Sequence, residues 1–247
     1  MDGNSVIQGR GIVHTGARLN RAADHALNLA LREAEVEEFD LTIIIATGFG
    51  RFAVPFSHWH ATEPECNARG AIYRYPETRT VLDMGGQDMT AIRIDEEGNV
   101  LDFAMNDKCA AGGGRFLESL GDLLGMTIDQ IRTFRDDPDE ELPITNVCSV
   151  FAEQEIIDYL ERGKPVGDIL SGTFCSIAAR GASLLRRVGL NPEITISGGI
   201  GHIGGVIGAL EDIVGMKVNS GIDSVYIGAA GAALVGIDRV EKRNNHG

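Results

Sequence analysis

The sequence lacks any excess of positive charge. Its 247 residues carry 22 basic and 36 acidic side chains, which gives a formal net charge of −14. Proteins that bind nucleic acids or anionic membranes non-specifically rely on a surplus of lysine and arginine. The composition therefore predicts a soluble protein with neither a nucleic acid nor a membrane as partner, although backbone amides can still build a local anion site.

Long apolar runs and closely spaced cysteines are also missing. No run approaches the roughly 18 apolar residues of a membrane-spanning helix, and the N-terminus does not show the pattern of a secretory signal peptide. Cys66, Cys109, Cys148 and Cys175 include no closely spaced pair. Such cysteines are typical of reduced thiols or ligands, not of a disulfide framework. We expect a cytoplasmic protein.

A common nucleotide motif is absent. No lysine follows a glycine-rich loop at the P-loop spacing, so the P-loop site does not fit. Two glycine groups nevertheless follow predicted strands: Gly85-Gly86, just after Asp83, and the stretch 197–201. Hairpin amides can bind phosphate and a carboxylate can hold Mg²⁺ through water. Each group taken alone also fits an ordinary glycine turn.

The order of the predicted elements is typical of an α/β protein. A helix over 20–35 precedes a β-branched run at 41–46, as expected for a buried parallel strand. The loop with Gly48 follows that run, where α/β proteins place ligands. The remaining patterns predict an antiparallel meander at 80–84, 89–94 and 100–105 and strands at 6–13, 193–197 and 216–218. Helices are predicted at 65–73, from the glycine run at 112–114 to Gly125, at 128–134 with Thr127 as N-cap, at 150–161, at 166–188, and from the stretch 198–201 to about residue 211. A last helix at 226–235 carries small residues at a spacing suited to tight helix packing, and the tail after 240 is expected to fray.

Cys109 and Cys148 share one setting, because each comes shortly before a predicted helix. The run Gly112-Gly113-Gly114 after Cys109 allows a close backbone approach, and a helix start favours a thiolate. Two thiolates cannot complete a Cys₄ iron–sulfur cluster, whereas a two-fold dimer presents four. The alternative is two unrelated core cysteines.

A second set of potential metal ligands lies in the irregular stretch after residue 52. It comprises His58, His60, Glu63 and Cys66. Neither its spacing nor its mixture of ligands matches a common metal site. A surface loop that leads into a helix is the favoured interpretation.

Taken together, these stretches resemble the ATPase family that contains the activators of 2-hydroxyacyl-CoA dehydratases and the ATP-hydrolysing subunits of benzoyl-CoA reductase. The resemblance covers nearly the whole chain in the family's order and is therefore specific. The matching stretches are 46–51, 81–88, 105–118, 147–153, 197–199 and 228–234.

The resemblance implies the fold of the actin/Hsp70/sugar-kinase (ASKHA) superfamily, an α/β fold in which two RNase H-like domains hold ATP between them. On this expectation, residues 1–77 with 226–247 form domain I and residues 78–225 form domain II. Family members open with a strand and an Asp-x-Gly-Ser/Thr hairpin, the first phosphate motif, and none of it stands before Asp2. We expect a truncated or mis-set start, so that domain I lacks its first strand.

The resemblance also implies cofactors and residue roles. One [4Fe-4S] cluster per dimer is expected, with Cys109 and Cys148 as ligands, together with ATP or ADP and Mg²⁺. Asp83 and Gln87 are the expected catalytic residues. The expected cofactor-binding residues are Gly48, Gly85, Gly86, Gly113, Gly114, Ser197, Gly198, Gly199 and Gly201.

The function implied is that of an ATP-dependent reductive activase, which couples ATP hydrolysis to transfer of a low-potential electron into a CoA-ester dehydratase or reductase. Its expected partners are a second copy or a homologous subunit, the CoA-ester enzyme, and ferredoxin or flavodoxin as electron donor. Three alternatives remain: a subunit of a benzoyl-CoA reductase complex, a small-molecule kinase of the same superfamily, and a nucleotide-binding protein without turnover.

Overall fold

The structure, a computed structural model, describes residues 1–106, 113–134, 138–140 and 142–245. The chain divides into two compact units. Unit 1 comprises Met1–Pro76 and Tyr226–Gly247, and unit 2 comprises Glu77–Val225. No helix in the described ranges is both long and apolar enough to cross a bilayer.

Unit 1 is mainly helical, with a short parallel strand pair. Its elements are α1 (Leu19–Ala34), β1 (Ile45–Ala46), β2 (Trp59–His60), α2 (Glu63–Arg74) and α8 (Ile227–Asn245). β1 and β2 pair through Ile45 with Trp59 and Ala46 with His60. Thr62 begins α2 by accepting a hydrogen bond from the Glu65 amide, as expected of an N-cap threonine.

α2 and α8 pack against each other at backbone distance. A Cβ atom on Gly231 would overlap the Cys66 carbonyl oxygen and lie 2.8 Å from the Gly70 nitrogen. A Cβ on Gly70 would likewise overlap the Ile227 carbonyl oxygen. The small residues of the last helix therefore serve tight helix packing, as their spacing predicts.

Three predictions in unit 1 are wrong. Residues 6–13 form no strand, because Gly9 and Gly11 pack their backbone on Ala30 and Ala26 of α1 instead of pairing. The β-branched run at 41–46 gives only the two paired residues of β1. The last helix does not fray at residue 240 but continues to Asn245, with basic side chains in its final turn, where they complement the helix dipole.

Unit 2 contains a four-stranded sheet with helices packed on it. The strands are β3 (Thr80–Met84), β4 (Met89–Ile94), β5 (Val100–Asn106) and β6 (Ile194–Ser197), in the order β5-β4-β3-β6. β3, β4 and β5 form the predicted antiparallel meander, and β6 runs parallel to β3. The helices are α3 (Gly114–Leu124), α4 (Ile128–Thr133), α5 (Ser149–Glu161), α6 (Val166–Val188) and α7 (Gly204–Val214).

The hydrophobic core of unit 2 lies around β3 and α6. Leu82 and Met84 of β3 are fully buried, as are Ile177 and Ala178 of α6. Both helix ends predicted around α3 and α4 are confirmed: Gly125 ends α3 in the left-handed conformation, and Thr127 caps α4. The predicted strand at 216–218 is wrong, because only a single bridge between Thr195 and Asn219 forms there.

Candidate functional site

A hydroxyl and a carboxylate meet at the carboxyl ends of β3 and β6. Asp83 and Ser197 are register partners in this parallel pair. The Ser197 hydroxyl donates a hydrogen bond to Asp83 Oδ1 over 2.6 Å, and both side chains are buried. The carboxyl edge of parallel strands is where α/β proteins bind ligands. The fold thus joins two predicted site residues that are far apart in sequence.

Gly198 allows the stretch 197–201 to lie close against the end of β3. Its φ of +85° lies in the left-handed region that favours glycine. A Cβ there would overlap the Met84 carbonyl oxygen and lie 3.1 Å from Asp83 Oδ1. The Gly198 amide donates to the Ser224 carbonyl over 3.0 Å, which anchors the turn. Residue 198 must therefore be glycine for the Asp83–Ser197 contact to form.

The hairpin after Asp83 leaves open space for a ligand. A backbone hydrogen bond closes the hairpin, in which the Gly85 amide donates to the Asp88 carbonyl over 3.1 Å. Gly86 and Gln87 are exposed, and no atom lies within 4 Å of a Cβ placed on Gly86. Gly199 has the same open surroundings. Glycine at both places permits close approach of a phosphate or a ribose to the backbone.

The start of α3 is attached to this hairpin. The amides of Gly114 and Arg115 donate to the carbonyl oxygens of Gly85 and Gly86 over 3.0 and 2.8 Å. A Cβ on Gly113 would overlap the Gly86 carbonyl oxygen and lie 2.9 Å from the Gln87 nitrogen. The first two amides of the helix are therefore satisfied within the chain, by the hairpin.

Cys148 is the residue that begins α5. It is half-buried, adopts the extended N-cap conformation and is followed by a first turn without acidic residues. Two hydrogen bonds hold the loop before Cys148. The Thr145 amide donates to Glu155 Oε2 over 2.7 Å, and the Thr145 carbonyl accepts from the Ser176 hydroxyl over 3.0 Å. The helix dipole at such a position favours a thiolate.

Exposed apolar side chains flank Cys148 in the chain. Val147 is 75% exposed, and Val150 and Phe151 are each 67% exposed. Large exposed apolar side chains that lie together typically mark an interaction site. The other predicted cluster ligand, Cys109, lies outside the described residues.

Gly201 is buried beside Ser224, its amide donating to the Gly198 carbonyl over 3.2 Å. Another predicted site residue, Gly48, belongs to unit 1. Gly48 has a φ of +81° and open space around its Cβ position, and its carbonyl accepts a hydrogen bond from Arg51 Nη1 over 2.9 Å. Within the described ranges, no group of three or more His, Cys, Asp or Glu side chains is arranged to hold a metal ion. His58, His60, Glu63 and Cys66 all fall within those ranges and form no such group.

His202 was not singled out from the sequence. It ends the short helical turn Gly199–His202 that follows Gly198. Burial lowers the pKa of its imidazole, and the positive charge of Arg132 adds to the effect. Its Nδ1 is buried without a hydrogen-bond partner among the described residues. The only signal in the sequence was its place directly after the glycine motif.

Comparison with known proteins gives one family. The model of the BadF/BadG/BcrA/BcrD ATPase family matches residues 2–236. The activator of lactoyl-CoA dehydratase from Anaerotignum propionicum is 34% identical over 98% of this chain and 93% of its own length. A subunit of benzoyl-CoA reductase from Thauera aromatica is 35% identical over 90% of this chain and 80% of its own length.

Solved structures give the same picture. Component A of the (R)-2-hydroxyglutaryl-CoA dehydratase of Acidaminococcus fermentans superposes with a TM-score of 0.91 at 32% identity, covering 97% of this chain and 92% of that one. The activator of the 2-hydroxyisocaproyl-CoA dehydratase from Clostridium difficile, solved with bound ADPNP, gives 0.84 at 30% identity, covering 96% and 86%. MreB 5 of Spiroplasma citri shares the fold alone, at a TM-score of 0.51 and 13% identity.

Proposed function

This chain belongs to the BadF/BadG/BcrA/BcrD ATPase family, and from that membership we propose that it is an ATP-dependent reductive activase of a 2-hydroxyacyl-CoA dehydratase. The observation that carries the proposal is the buried Asp83–Ser197 hydrogen bond of 2.6 Å beside the open Gly85-Gly86 hairpin. The fold is of the ASKHA type, as its structural neighbours indicate. We further propose that units 1 and 2 correspond to its two RNase H-like domains.

The residues of unit 2 fit a nucleotide with Mg²⁺. Open space beside Gly86 admits a phosphate group to the hairpin backbone, and the Asp83 carboxylate is suited to hold a hydrated Mg²⁺. Gly199 provides similar room in the second motif, the proposed adenosine side. Gln87 is exposed at the tip of the hairpin, where a side-chain amide can orient a water molecule.

Cys148 fits a shared iron–sulfur cluster. It supplies a thiol at a helix start, its loop is fixed through Thr145, and apolar side chains around it are available to exclude water. With Cys109, each chain would contribute two of four thiolate ligands across a two-fold axis. A [4Fe-4S] cluster bound there would supply one-electron transfer at low potential.

In the proposed reaction, the chain binds and orients the nucleotide, holds the redox group, and couples ATP hydrolysis to electron transfer. Asp83 and the hairpin position the nucleotide, while Cys148 and Cys109 hold the redox group near the dimer surface. Ferredoxin or flavodoxin would give up one electron and the CoA-ester enzyme would accept it. ATP hydrolysis would make this transfer favourable by changing the conformation of the segments that carry the cysteines.

The decisive experiment is anaerobic purification followed by iron analysis and an ATPase assay. We expect about four irons per dimer, the content of one Cys₄-held cluster, together with Mg²⁺-dependent ATP hydrolysis. Cys148→Ser should lose the iron, whereas the matched variant Cys175→Ser should keep it, because Cys175 lies within α6, away from any helix start. Asp83→Asn should lose ATP hydrolysis but keep the iron.

Each failure has its own meaning. An iron-free dimer with ATPase activity would contradict the activase and favour a small-molecule kinase of the same superfamily. A protein that binds ATP without hydrolysing it would favour a regulatory nucleotide-binding role. Cys148→Ser with undiminished iron would remove Cys148 from the ligand set.

A second candidate is membership of a benzoyl-CoA reductase complex. It is favoured by the 35% identity to the benzoyl-CoA reductase subunit from Thauera aromatica. Co-purification of the native protein with large reductase subunits would support this candidate. A free dimer that activates a separate dehydratase would exclude it.

A further inference from the structure

Unit 1 contains a cavity edged by exposed apolar side chains, at the start of α1. We propose that this cavity and its rim form a docking surface for residues 35–40 of a second copy of the chain. The contact joins the two copies head to tail and is separate from the proposed two-fold contact at Cys148. It does not depend on the activity proposed for the chain.

The cavity lies between the start of α1 and the loop that follows Gly48. It has a volume of about 460 Å³ and is lined by residues 17–20 and by Phe52, Ala53 and Pro55. The loop packs on the helix, because a Cβ placed on Gly50 would lie 3.6 Å from both methyl carbons of Leu19. Leu19 is nevertheless 41% exposed and Phe52 is 72% exposed. Exposed apolar side chains gathered at one place typically mark an interaction site.

Phe52 is held in place although its ring is exposed. The Arg51 guanidinium lies 4.5 Å from the ring centroid, and the His60 ring meets it edge-on with 4.9 Å between centroids. Arg51 Nη1 is in turn fixed by a hydrogen bond to the Gly48 carbonyl over 2.9 Å. An aromatic side chain that is fixed beforehand loses little conformational entropy on binding. Phe52 is therefore suited to anchor a contact, as aromatic and arginine side chains commonly do.

The docking surface belongs to the parts of this acidic chain that lack acidic side chains. Residues 3–23 and 41–62 contain neither aspartate nor glutamate, although the whole chain has 36 of them. These two stretches supply both walls of the cavity. Arg18 and Arg21 are exposed at the start of α1, and its first turn has no acidic residue. A positively charged rim around an apolar cavity favours an acidic occupant that carries an apolar side chain.

Residues 35–40, the acidic segment, have this chemistry. Every residue of the segment is exposed. Phe39 is 85% exposed and is flanked in the chain by Glu35, Glu37, Glu38 and Asp40. The Glu37 amide donates to Asp40 Oδ2 over 3.0 Å, which closes the segment into a short turn. The segment thus presents one aromatic ring together with carboxylates, and so complements the docking surface in both respects.

The acidic segment and the docking surface lie at opposite ends of α1. The helix has 16 residues, so its ends are about 24 Å apart at about 1.5 Å per residue. The acidic segment therefore cannot reach the cavity of its own chain. Arg18 and Glu35 also stand at the ends of α1 where the helix dipole disfavours their charges, so stabilisation of the helix does not explain them. Contact with a second copy brings these opposite charges together.

This contact is heterologous, because each copy contributes a different surface. Repetition of such a contact leads from two copies to longer assemblies. A single exposed segment buries little area, so we expect weak association that is absent in dilute protein. Because opposite charges contribute to it, the association should also disappear in about 1 M NaCl, where the Debye length falls to about 3 Å.

Sedimentation velocity of the full chain at low ionic strength tests the contact. The weight-average mass of the wild type should rise about twofold when the protein concentration reaches the dissociation constant of the contact. Phe52→Ser removes the anchor of the docking surface and Phe39→Ser that of the acidic segment, so the mass of neither variant alone should rise. Phe103→Ser is the matched control, because Phe103 is an exposed aromatic residue of β5 in unit 2, and it should behave like the wild type.

Mixing the two variants is the decisive measurement. Phe39→Ser still has the docking surface and Phe52→Ser still has the acidic segment, so an equimolar mixture should associate although each variant alone does not. Restored association also shows that both variants are folded. A mixture that does not associate would overturn the contact, as would a wild type whose mass is independent of concentration or a rise in the mass of either variant alone.

Iron analysis separates this contact from the proposed function. Phe39→Ser and Phe52→Ser should bind as much iron as the wild type, since both changes lie in unit 1, apart from Cys148. If the wild type contains iron and hydrolyses ATP but does not associate head to tail, the docking contact is wrong and the proposed function stands. If the association follows the expected pattern in a protein without iron, the proposed function fails and the docking contact stands.

Discussion

Individual residues at the carboxyl edge of β3 and β6 depend closely on one another. The Ser197 hydroxyl donates a hydrogen bond to the Asp83 carboxylate, and Gly198 must lack a side chain for the ends of β3 and β6 to meet. A buried carboxylate needs such donors, because loss of a hydrogen bond in a buried place is costly. The side chains that would bind a nucleotide therefore also stabilise the fold of unit 2.

Ser197→Ala should reveal this double role. Removing the hydroxyl takes one hydrogen bond from a buried carboxylate, so we expect a loss of about 1–2 kcal/mol in the free energy of unfolding and weaker Mg·ADP binding. Urea unfolding and calorimetric titration measure the two effects. Ser197→Thr, which keeps the hydroxyl, should retain most of both, and equal losses in the two variants would contradict the assigned hydrogen bond.

Cys66 gives a prediction that depends on pH. Burial raises the pKa of its thiol to about 11, from a value of 9.0 for an exposed thiol. A raised pKa in the folded protein means that its contribution to stability is fully present below pH 9 and is lost as pH rises towards 11, because the unfolded chain then releases a proton that the folded chain keeps. The loss should approach roughly 2 kcal/mol.

The measurement for Cys66 is a comparison across pH. Unfolding free energies of the wild type and of Cys66→Ala, taken under reducing conditions between pH 8 and 11, should differ by an amount that changes with pH only above 9. Other titrating groups are common to both proteins and cancel. A difference that stays constant over the whole range would show that the thiol is not shielded from water.

At the level of elements, the sequence patterns predicted the pairing of consecutive strands in the meander. They did not predict which strand distant in the sequence pairs with β3. Alternation and turn residues indicated β3, β4 and β5, yet nothing in them states that β6, more than a hundred residues after β3, lies beside it. Strand order depends on how helices cover the sheet. The Asp83–Ser197 contact could therefore be expected only through the family resemblance.

Two of the errors at element level, and one incomplete prediction, have a common physical cause. Residues 6–13 have strand-like composition, but Gly9 and Gly11 fit closely against the backbone of α1. The stretch 216–218 has β-branched and apolar residues, but only Asn219 reaches the sheet edge. Similarly, the glycine run before α3 indicated close approach without naming the hairpin as its contact. In all three stretches tertiary packing determines the structure, and local sequence propensity carries no information about that packing.

The packing of α2 on α8 leads to a graded prediction. Gly231→Ala would force a methyl group into the Cys66 carbonyl oxygen, so we expect a loss of about 3 kcal/mol or more, at the upper end for overpacking. Gly236→Ala, in the same helix, would meet only side-chain methyl and methylene groups of Ile43 and Ile45 at 3.1 Å, which can adjust. It should cost less than about 1 kcal/mol. Thermal and urea unfolding of both variants measure the difference, and similar losses would contradict backbone contact at Gly231.

For the whole molecule, two expected cluster ligands per chain would form a complete four-thiolate site only across a two-fold interface. Among the described residues no metal site is complete within one chain. Cys148 stands at a helix start amid exposed Val147, Val150 and Phe151. An apolar surface around a candidate ligand is what an isologous interface requires, since each copy then buries the same patch.

Phe151→Glu should therefore separate the two copies. Placing a carboxylate in the centre of the proposed interface costs several kcal/mol through like-charge contact across the two-fold axis, so we expect a monomer by light scattering and loss of iron from anaerobic preparations. Phe39→Glu is the matched control: its ring is 85% exposed in unit 1, far from Cys148 in sequence, and its replacement should leave dimer and iron intact. A Phe151→Glu protein that remains a dimer with full iron content would place the interface elsewhere and would remove the reason for assigning Cys148 to a shared cluster. Loss of iron from a variant that remains dimeric would instead assign Phe151 to shielding the cluster from water.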